Sequence, residues 1–306
     1  MIVDTHCDVL MKLWERPQRS FHDSDELRIN YIKWMDSPVQ VQWFAIFVPE
    51  EVPSSRRFEV ALEMVGLFYD RIIAPYSSIK LVTSKEEIAA LQPNEKGALL
   101  TLEGCHPIGD DLTKLLTLLR LGVTSVGLTW NQANAVCDGI QEERGAGLSS
   151  FGKKVVRLLN DYKVWTDVSH LSYQGFWDVL DIADYPMASH SNAYTLTPHI
   201  RNLNDKQLDE LIKRNAYIGV TFVADFLTEQ PPATIDDIMI HLQYIIDRGG
   251  ERCVGLGSDF DGTNSIITGL YDISEYEHLY RELSNRFSND IVENITNRNI
   301  LRMMPK

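Results

Sequence analysis

The chain lacks the features that would tie it to nucleic acid, a bilayer or an oxidising compartment. Among its 306 residues only 29 are Lys or Arg, against 43 Asp or Glu, giving a formal net charge of -14. Nucleic acid and anionic membrane surfaces are recognised by clustered positive charge, so neither is expected as a partner. No stretch reaches the roughly 18 uninterrupted apolar residues of a membrane span. Met1 leads straight into an apolar strand, with no basic start and following apolar run, so no signal peptide is expected. The segment from Asn299 to Lys306 is too short and too charged for a lipid-anchor signal. These absences predict a cytoplasmic protein. The cysteines Cys7, Cys105, Cys137 and Cys253 have no paired spacing and are expected to be reduced, small packing residues. No glycine-rich fingerprint follows the first strand, which argues against a dinucleotide fold. No shift in composition marks a boundary, and residues 1–306 are read as a single domain.

What the chain does have is an alternation of short β-rich runs and longer helical patterns. The strand runs are Ile2–Asp8, Val41–Val48, Gly97–Gly104, Val123–Trp130, Val164–His170, Met187–His190, Tyr217–Val223 and Cys253–Phe260. Helical patterns lie between them, among them a long one from about Ser54 to Ala74 and one from Thr234 to Arg248. A loop with Pro17 follows the first strand, then a helical stretch from Ser24 to Met35. Strands separated by helices pair in parallel through right-handed crossovers. Eight such units predict a (β/α)8 TIM barrel with extra C-terminal helices.

In such a barrel the chemistry sits at the C-terminal ends of the strands. Those positions hold His6 and Asp8, Glu103, His170, His190 and Asp259. His6 and Asp8 are two apart, so in a strand they point to the same face. Each residue has an ordinary alternative, a helix cap, an ion pair or a core histidine, but all six map to one rim. Three histidines and three carboxylates exceed what one catalytic zinc needs, about three ligands and a water. The surplus suggests two metals about 3.5–4 Å apart, with Glu103 between them. Mixed N/O ligation without thiolate suits zinc best, with manganese or cobalt as alternatives. Two such ions hold hydroxide at neutral pH, and the reaction class is metal-assisted hydrolysis.

The runs Asp4-Thr5-His6-Cys7-Asp8, Leu102-Glu103-Gly104, Asp167-Val168-Ser169-His170, Ala188-Ser189-His190-Ser191-Asn192-Ala193-Tyr194, Arg201-Asn202 and Gly255-Leu256-Gly257-Ser258-Asp259-Phe260-Asp261-Gly262 together resemble the membrane (renal) dipeptidase family of zinc metallopeptidases, within the amidohydrolase-type barrels. The resemblance implies two zinc ions per chain and hydrolysis of free dipeptides by a metal-bridging hydroxide. His6 and Asp8 would bind one ion and His170 and His190 the other. Glu103 would bridge them, and Asp259 would handle the proton during attack. It assigns Arg201 to the substrate's terminal carboxylate, which a guanidinium fork matches bidentately. A homodimer is a family-level expectation.

One departure bears on substrate choice. Animal members of the family end the fourth strand in Leu-Thr-His, and that histidine contacts substrate. Here the run is Leu128-Thr129-Trp130-Asn131, as in bacterial relatives. Trp130 can donate one N–H but cannot serve as acid, base or ligand, and Asn131 could supply a donor in its place. Both L,L-dipeptides and peptides with a C-terminal D-residue stay open. Among the other histidines, His106 lies close to the bridge, His199 is expected to shape the Arg201 loop, and His22, His241 and His278 have no assigned chemistry.

Two other readings compete. One is a metal-dependent amidohydrolase for N-acyl amino acids, lactones or phosphoesters. Many such barrels bridge their metals with a carboxylated lysine at the end of the fourth strand, and that strand has no lysine there. The other is a non-catalytic binding protein on the same barrel, which would be expected to have lost some of the six rim residues.

Overall fold

The computed structural model describes residues 1–305. Its sheet runs through β1 (Ile2–Asp4), β2 (Val39–Phe47), β4 (Lys96–Glu103), β5 (Val123–Gly127), β6 (Trp165–Asp167), β7 (Pro186–Ala188), β8 (Tyr217–Val220) and β9 (Val254–Leu256), in that order, with every pairing parallel. The ends meet where Thr5 N–H donates to Leu256 O at 3.1 Å and Cys7 bridges to Phe260. The expected (β/α)8 barrel is thus the observed one. A ninth strand, β3 (Ile79–Leu81), pairs with the outer edge of the β4 start and lies off the barrel path. No helix among the described residues is long and apolar enough to cross a membrane.

Two apolar regions hold the barrel. Inside it, Val3, Val41, Trp43, Leu99, Trp165, Met187 and Tyr217 pack together, with the Trp43 and Trp165 rings 5.0 Å apart. Outside it, the remaining strand residues meet the helices in one continuous cluster. Period-two alternation along β4 puts Leu99, Thr101 and Glu103 on one side. Leu99 lies in the aromatic layer, whereas Thr101 and Glu103 line the interior nearer the strand ends with Thr5, Ser125, Asp167 and Ser189. The barrel interior therefore changes from apolar to polar toward its C-terminal face.

Several boundaries differ from the sequence reading. The ladder-forming strands are shorter than the apolar runs, because the C-terminal residues of those runs leave the ladder and turn into the rim. β1 ends at Asp4, whose carboxylate takes the His6 N–H at 3.2 Å and the Ser258 N–H at 2.9 Å in place of strand partners. A helix, Val9–Glu15, starts directly after Asp8 where the sequence suggested a loop. The expected helix from Ser24 to Met35 shrinks to Tyr31–Asp36, because Asn30 caps it by accepting from the Lys33 N–H. The long helix is Arg57–Leu67 continued by a π-helical turn, Phe68–Ile73.

Candidate metal centre

Glu103 ends β4 and stands between two groups of ligand-type side chains. Its Oε2 lies 3.4 Å from His6 Nε2, and its Oε1 lies 2.9 Å from His170 Nε2 and 3.8 Å from His190 Nε2. On the first side, His6 Nε2 is also 3.3 Å from Asp8 Oδ2 and 3.8 Å from Asp259 Oδ1. On the second, the His170 and His190 Nε2 atoms approach to 2.9 Å. The six rim residues expected from the sequence are thus brought together. Two sets, His6–Glu103–His190 and His6–Asp8–Asp259, each have ligand atoms within 4.8 Å of one another.

This donor set fits metal ions. His6 Nε2 and Asp8 Oδ1 are buried and have no hydrogen-bond partner, a costly state that a cation would relieve. Both histidines of the second group have their outer nitrogen engaged. His170 Nδ1 donates to Asn131 Oδ1 at 2.9 Å, and His190 Nδ1 meets Ser189 Oγ at 2.7 Å. Engaging Nδ1 places the lone pair on Nε2, as in histidine–metal sites.

The electrostatics match the crowding. Burial disfavours charge on His6, but Glu103 and Asp8 outweigh it and hold the imidazole well above its usual pKa. Burial would raise Glu103, yet His6 and His170 pull it well below the carboxylate range. Asp259 goes the other way: burial, reinforced by Asp8 and Glu103, pushes its carboxyl well above the usual range. Burial and the nearby Arg201 lower His170 to about 4. A dication in contact with these groups would favour the ionised carboxylates and the neutral imidazoles.

Local backbone makes this packing feasible. Asp259 has φ 63° and Asp261 φ 68°, left-handed conformations that Asp tolerates better than most residues. A Cβ on Gly262 would stand 2.2 Å from both Asp259 Oδ1 and Asp8 Oδ2, so only glycine leaves room for the two carboxylates. Asp261 accepts the Arg28 and Ile29 N–H groups at 2.9 and 3.1 Å, which ties the segment before the Tyr31–Asp36 helix to the rim.

The three residues expected at the substrate lie around the second group. Arg201 is 4% exposed; its Nη1 donates to Ser169 O, and its Nη2 is 3.1 Å from His170 Nε2. Trp130 is half-buried, with its ring 5.0 Å from Phe47 and 6.3 Å from His170. The Asn131 carbonyl oxygen is held by His170, leaving its amide NH2 as the group free to donate elsewhere. His199 accepts the Arg201 N–H and stacks on Phe226, as a residue shaping that loop would. His106 faces away from the bridge, with Nε2 2.7 Å from Val48 O. All four cysteines are unpaired and buried. Sequence reasoning assigned no role to Asp167, Ser189 or Gly262, although all three lie within the quoted motifs.

Known proteins are similar to this chain in fold and sequence. The chain is 31% identical to an uncharacterised dipeptidase of Schizosaccharomyces pombe over 333 aligned positions, which cover all of this chain and 80% of that protein. A metallopeptidase from Rhodobacter sphaeroides, solved with a phosphinate mimic of the dipeptide L-Ala-D-Ala, superposes with a TM-score of 0.93 at 25% identity, covering 99% of this chain and 98% of that one. Dipeptidase AC, a family M19 metallopeptidase, superposes with a TM-score of 0.92 at 27% identity, covering 99% and 97%. The model of the membrane dipeptidase family, peptidase family M19, matches residues 1–306, and the chain belongs to that family of metallo-dipeptidases.

Proposed function

We propose that the protein is a zinc-dependent dipeptidase that hydrolyses the peptide bond of free dipeptides, including those with a C-terminal D-residue. The observation that carries this reading is the placement of Glu103, with one oxygen toward His6 and the other toward His170. In this reading His6 and Asp8 would hold one zinc and His170 and His190 the second, with Glu103 shared between them. The ions would polarise the scissile carbonyl and bring a water's pKa near neutrality.

The chain's own residues then supply orientation and proton handling. Asp259 stands 3.8 Å from His6, a carboxylate at the edge of the first group. It takes the proton of the attacking water and delivers it to the leaving amine. Arg201, anchored through Ser169 O and next to His170, offers its guanidinium to the terminal carboxylate. A clamp on that carboxylate favours free dipeptides over longer chains. Trp130 and the Asn131 amide line the same side and bear on the substrate's stereochemistry. The L-Ala-D-Ala mimic held by the Rhodobacter sphaeroides structure supports acceptance of a C-terminal D-residue.

A substrate panel on the zinc-loaded protein tests the reading. Free L,L- and L,D-dipeptides should be cleaved, and dipeptide amides, tripeptides and N-acyl amino acids much more slowly. Preferential cleavage of N-acyl amino acids, lactones or phosphoesters would move the protein to another amidohydrolase activity. Cleavage of no substrate would leave a binding role.

A further inference from the structure

The two histidines of the second group rest on different supports. His170 leans on a neutral amide oxygen, that of Asn131. His190 leans on the Ser189 hydroxyl, which in turn donates to Asp167 Oδ2. Asp167, at the end of β6, is buried and takes three further hydrogen bonds. They come from Ser169 N–H at 3.1 Å, Ser169 Oγ at 2.6 Å and Ser189 N–H at 3.0 Å. Among the described residues no Lys, Arg or His forms an ion pair with it.

The Ser169 N–H bond can be read as a local turn at the end of β6, and the Ser189 N–H bond as a tie between the ends of β6 and β7. The Ser189 side chain goes beyond that. A hydroxyl has one proton, and here the carboxylate takes it. Ser169 Oγ, 3.3 Å from Ser189 Oγ, commits its own proton to Asp167 Oδ1 and cannot compete. Toward His190, Ser189 Oγ can therefore only accept. Nδ1 must carry the hydrogen, and the Nε2 lone pair is presented on the Glu103 side.

We propose that Asp167 is a positioning residue for His190, acting through the Ser189 hydroxyl. It selects the Nδ1–H tautomer, fixes the ring and strengthens Nε2 as a donor. This inference rests on the two-metal reading and adds to it an asymmetry: the His170/His190 site depends on a buried carboxylate one hydroxyl away, and the His6/Asp8 site does not. Two substitutions separate this role from mere bracing. Ser189→Ala removes the link to His190 and leaves the other three hydrogen bonds of Asp167 in place. Asp167→Asn has the same shape but can turn an NH2 toward Ser189. The serine would then accept from Asn and donate to His190 Nδ1, which moves the imidazole hydrogen to Nε2 and blocks the ligand atom.

The experiment is titration with Co2+ of the metal-free parent and both variants. Visible absorption and competition against a chelator report each site, and thermal unfolding of the metal-free proteins reports the fold. The parent should take up two ions. Ser189→Ala should bind one of them about 10–100-fold more weakly, the range found when such outer partners are removed, and hold the other within about twofold. Asp167→Asn should lose more affinity at that same site than Ser189→Ala. Parental affinity at both sites in both variants overturns the proposal, as does equal weakening of both sites, which would mark a bracing role. A parent that binds no metal would overturn the two-metal reading itself, a result distinguishable because it appears before any substitution.

Discussion

At the residue scale the centre depends on a few groups with little freedom to move. Asp259 is the carboxylate assigned to proton transfer, and Asp259→Asn should retain the metals while lowering turnover about 10²–10⁴-fold, the usual worth of a general acid–base group. Metal content and kcat measured on one preparation check this, and normal turnover would remove Asp259 from the reaction. Gly262→Ala should cost metal affinity and at least about tenfold in turnover, because its Cβ would enter the space of the Asp8 and Asp259 carboxylates. A variant with parental metal affinity would show that the rim relaxes around a methyl group. Arg201→Ala should raise KM for free dipeptides far more than for dipeptide amides; equal effects on both would contradict the carboxylate clamp. The rim residues were legible in the sequence because each stands at the end of an apolar run. Asp167, Ser189 and Gly262 were not, since their roles come from contacts across neighbouring strands. Asn131 was expected to supply a donor to the substrate, whereas its hold on His170 joins residues from two different strand ends, which spacing along the chain does not reveal.

At the scale of elements, the helices with full caps were the easiest to read, and the pieces of three to seven residues the hardest. Asn204 with Gln207, and Thr234 with Asp237, form capping boxes that mark the starts of Asp205–Lys213 and Ile235–Asp247. Val9–Glu15 and β3 are too short to show a period, and tertiary packing decides them. His241, in the Ile235–Asp247 helix, shows how an element can bind the rim loops at some cost in pH range. Its Nδ1 accepts the Ala193 N–H at 3.1 Å and its Nε2 donates to Leu227 O at 3.0 Å. That arrangement requires a neutral ring, and burial lowers its pKa to about 4. Between about pH 6.5 and 4 the unfolded chain binds a proton that the folded chain refuses. Stability is therefore complete above about pH 6.5 and falls by up to about 3 kcal/mol as the pH drops toward 4. Urea unfolding at pH 7 and pH 5 should show this loss in the parent and a smaller one in His241→Gln. Identical pH dependence in both would exclude His241 as the source.

At the scale of the molecule, the barrel closes through polar contacts as well as strand pairing. Asp4 joins three segments: it accepts N–H groups from His6 and Ser258 and the Tyr276 hydroxyl at 2.7 Å, which links β1, the stretch after β9 and the closing helix Tyr276–Arg286. Tyr276→Phe leaves a buried carboxylate short of one donor and should cost about 1–3 kcal/mol in unfolding free energy. An unchanged urea midpoint would show that this seam carries no stability. The parallel barrel and its rim of ligand-type side chains followed from eight alternating units, while the details of closure did not, because they join residues more than 250 positions apart, as Asp4 and Ser258 do.

The measurement that bears most directly on the account is dipeptide hydrolysis as a function of metal bound per chain. The purified protein would be stripped with a chelator and zinc returned in steps, with cleavage and metal content read on the same samples. The account expects no cleavage from the stripped protein and recovery that is complete at about two zinc ions per chain. Full cleavage by stripped protein, or a chain that binds no zinc at any loading, would contradict it.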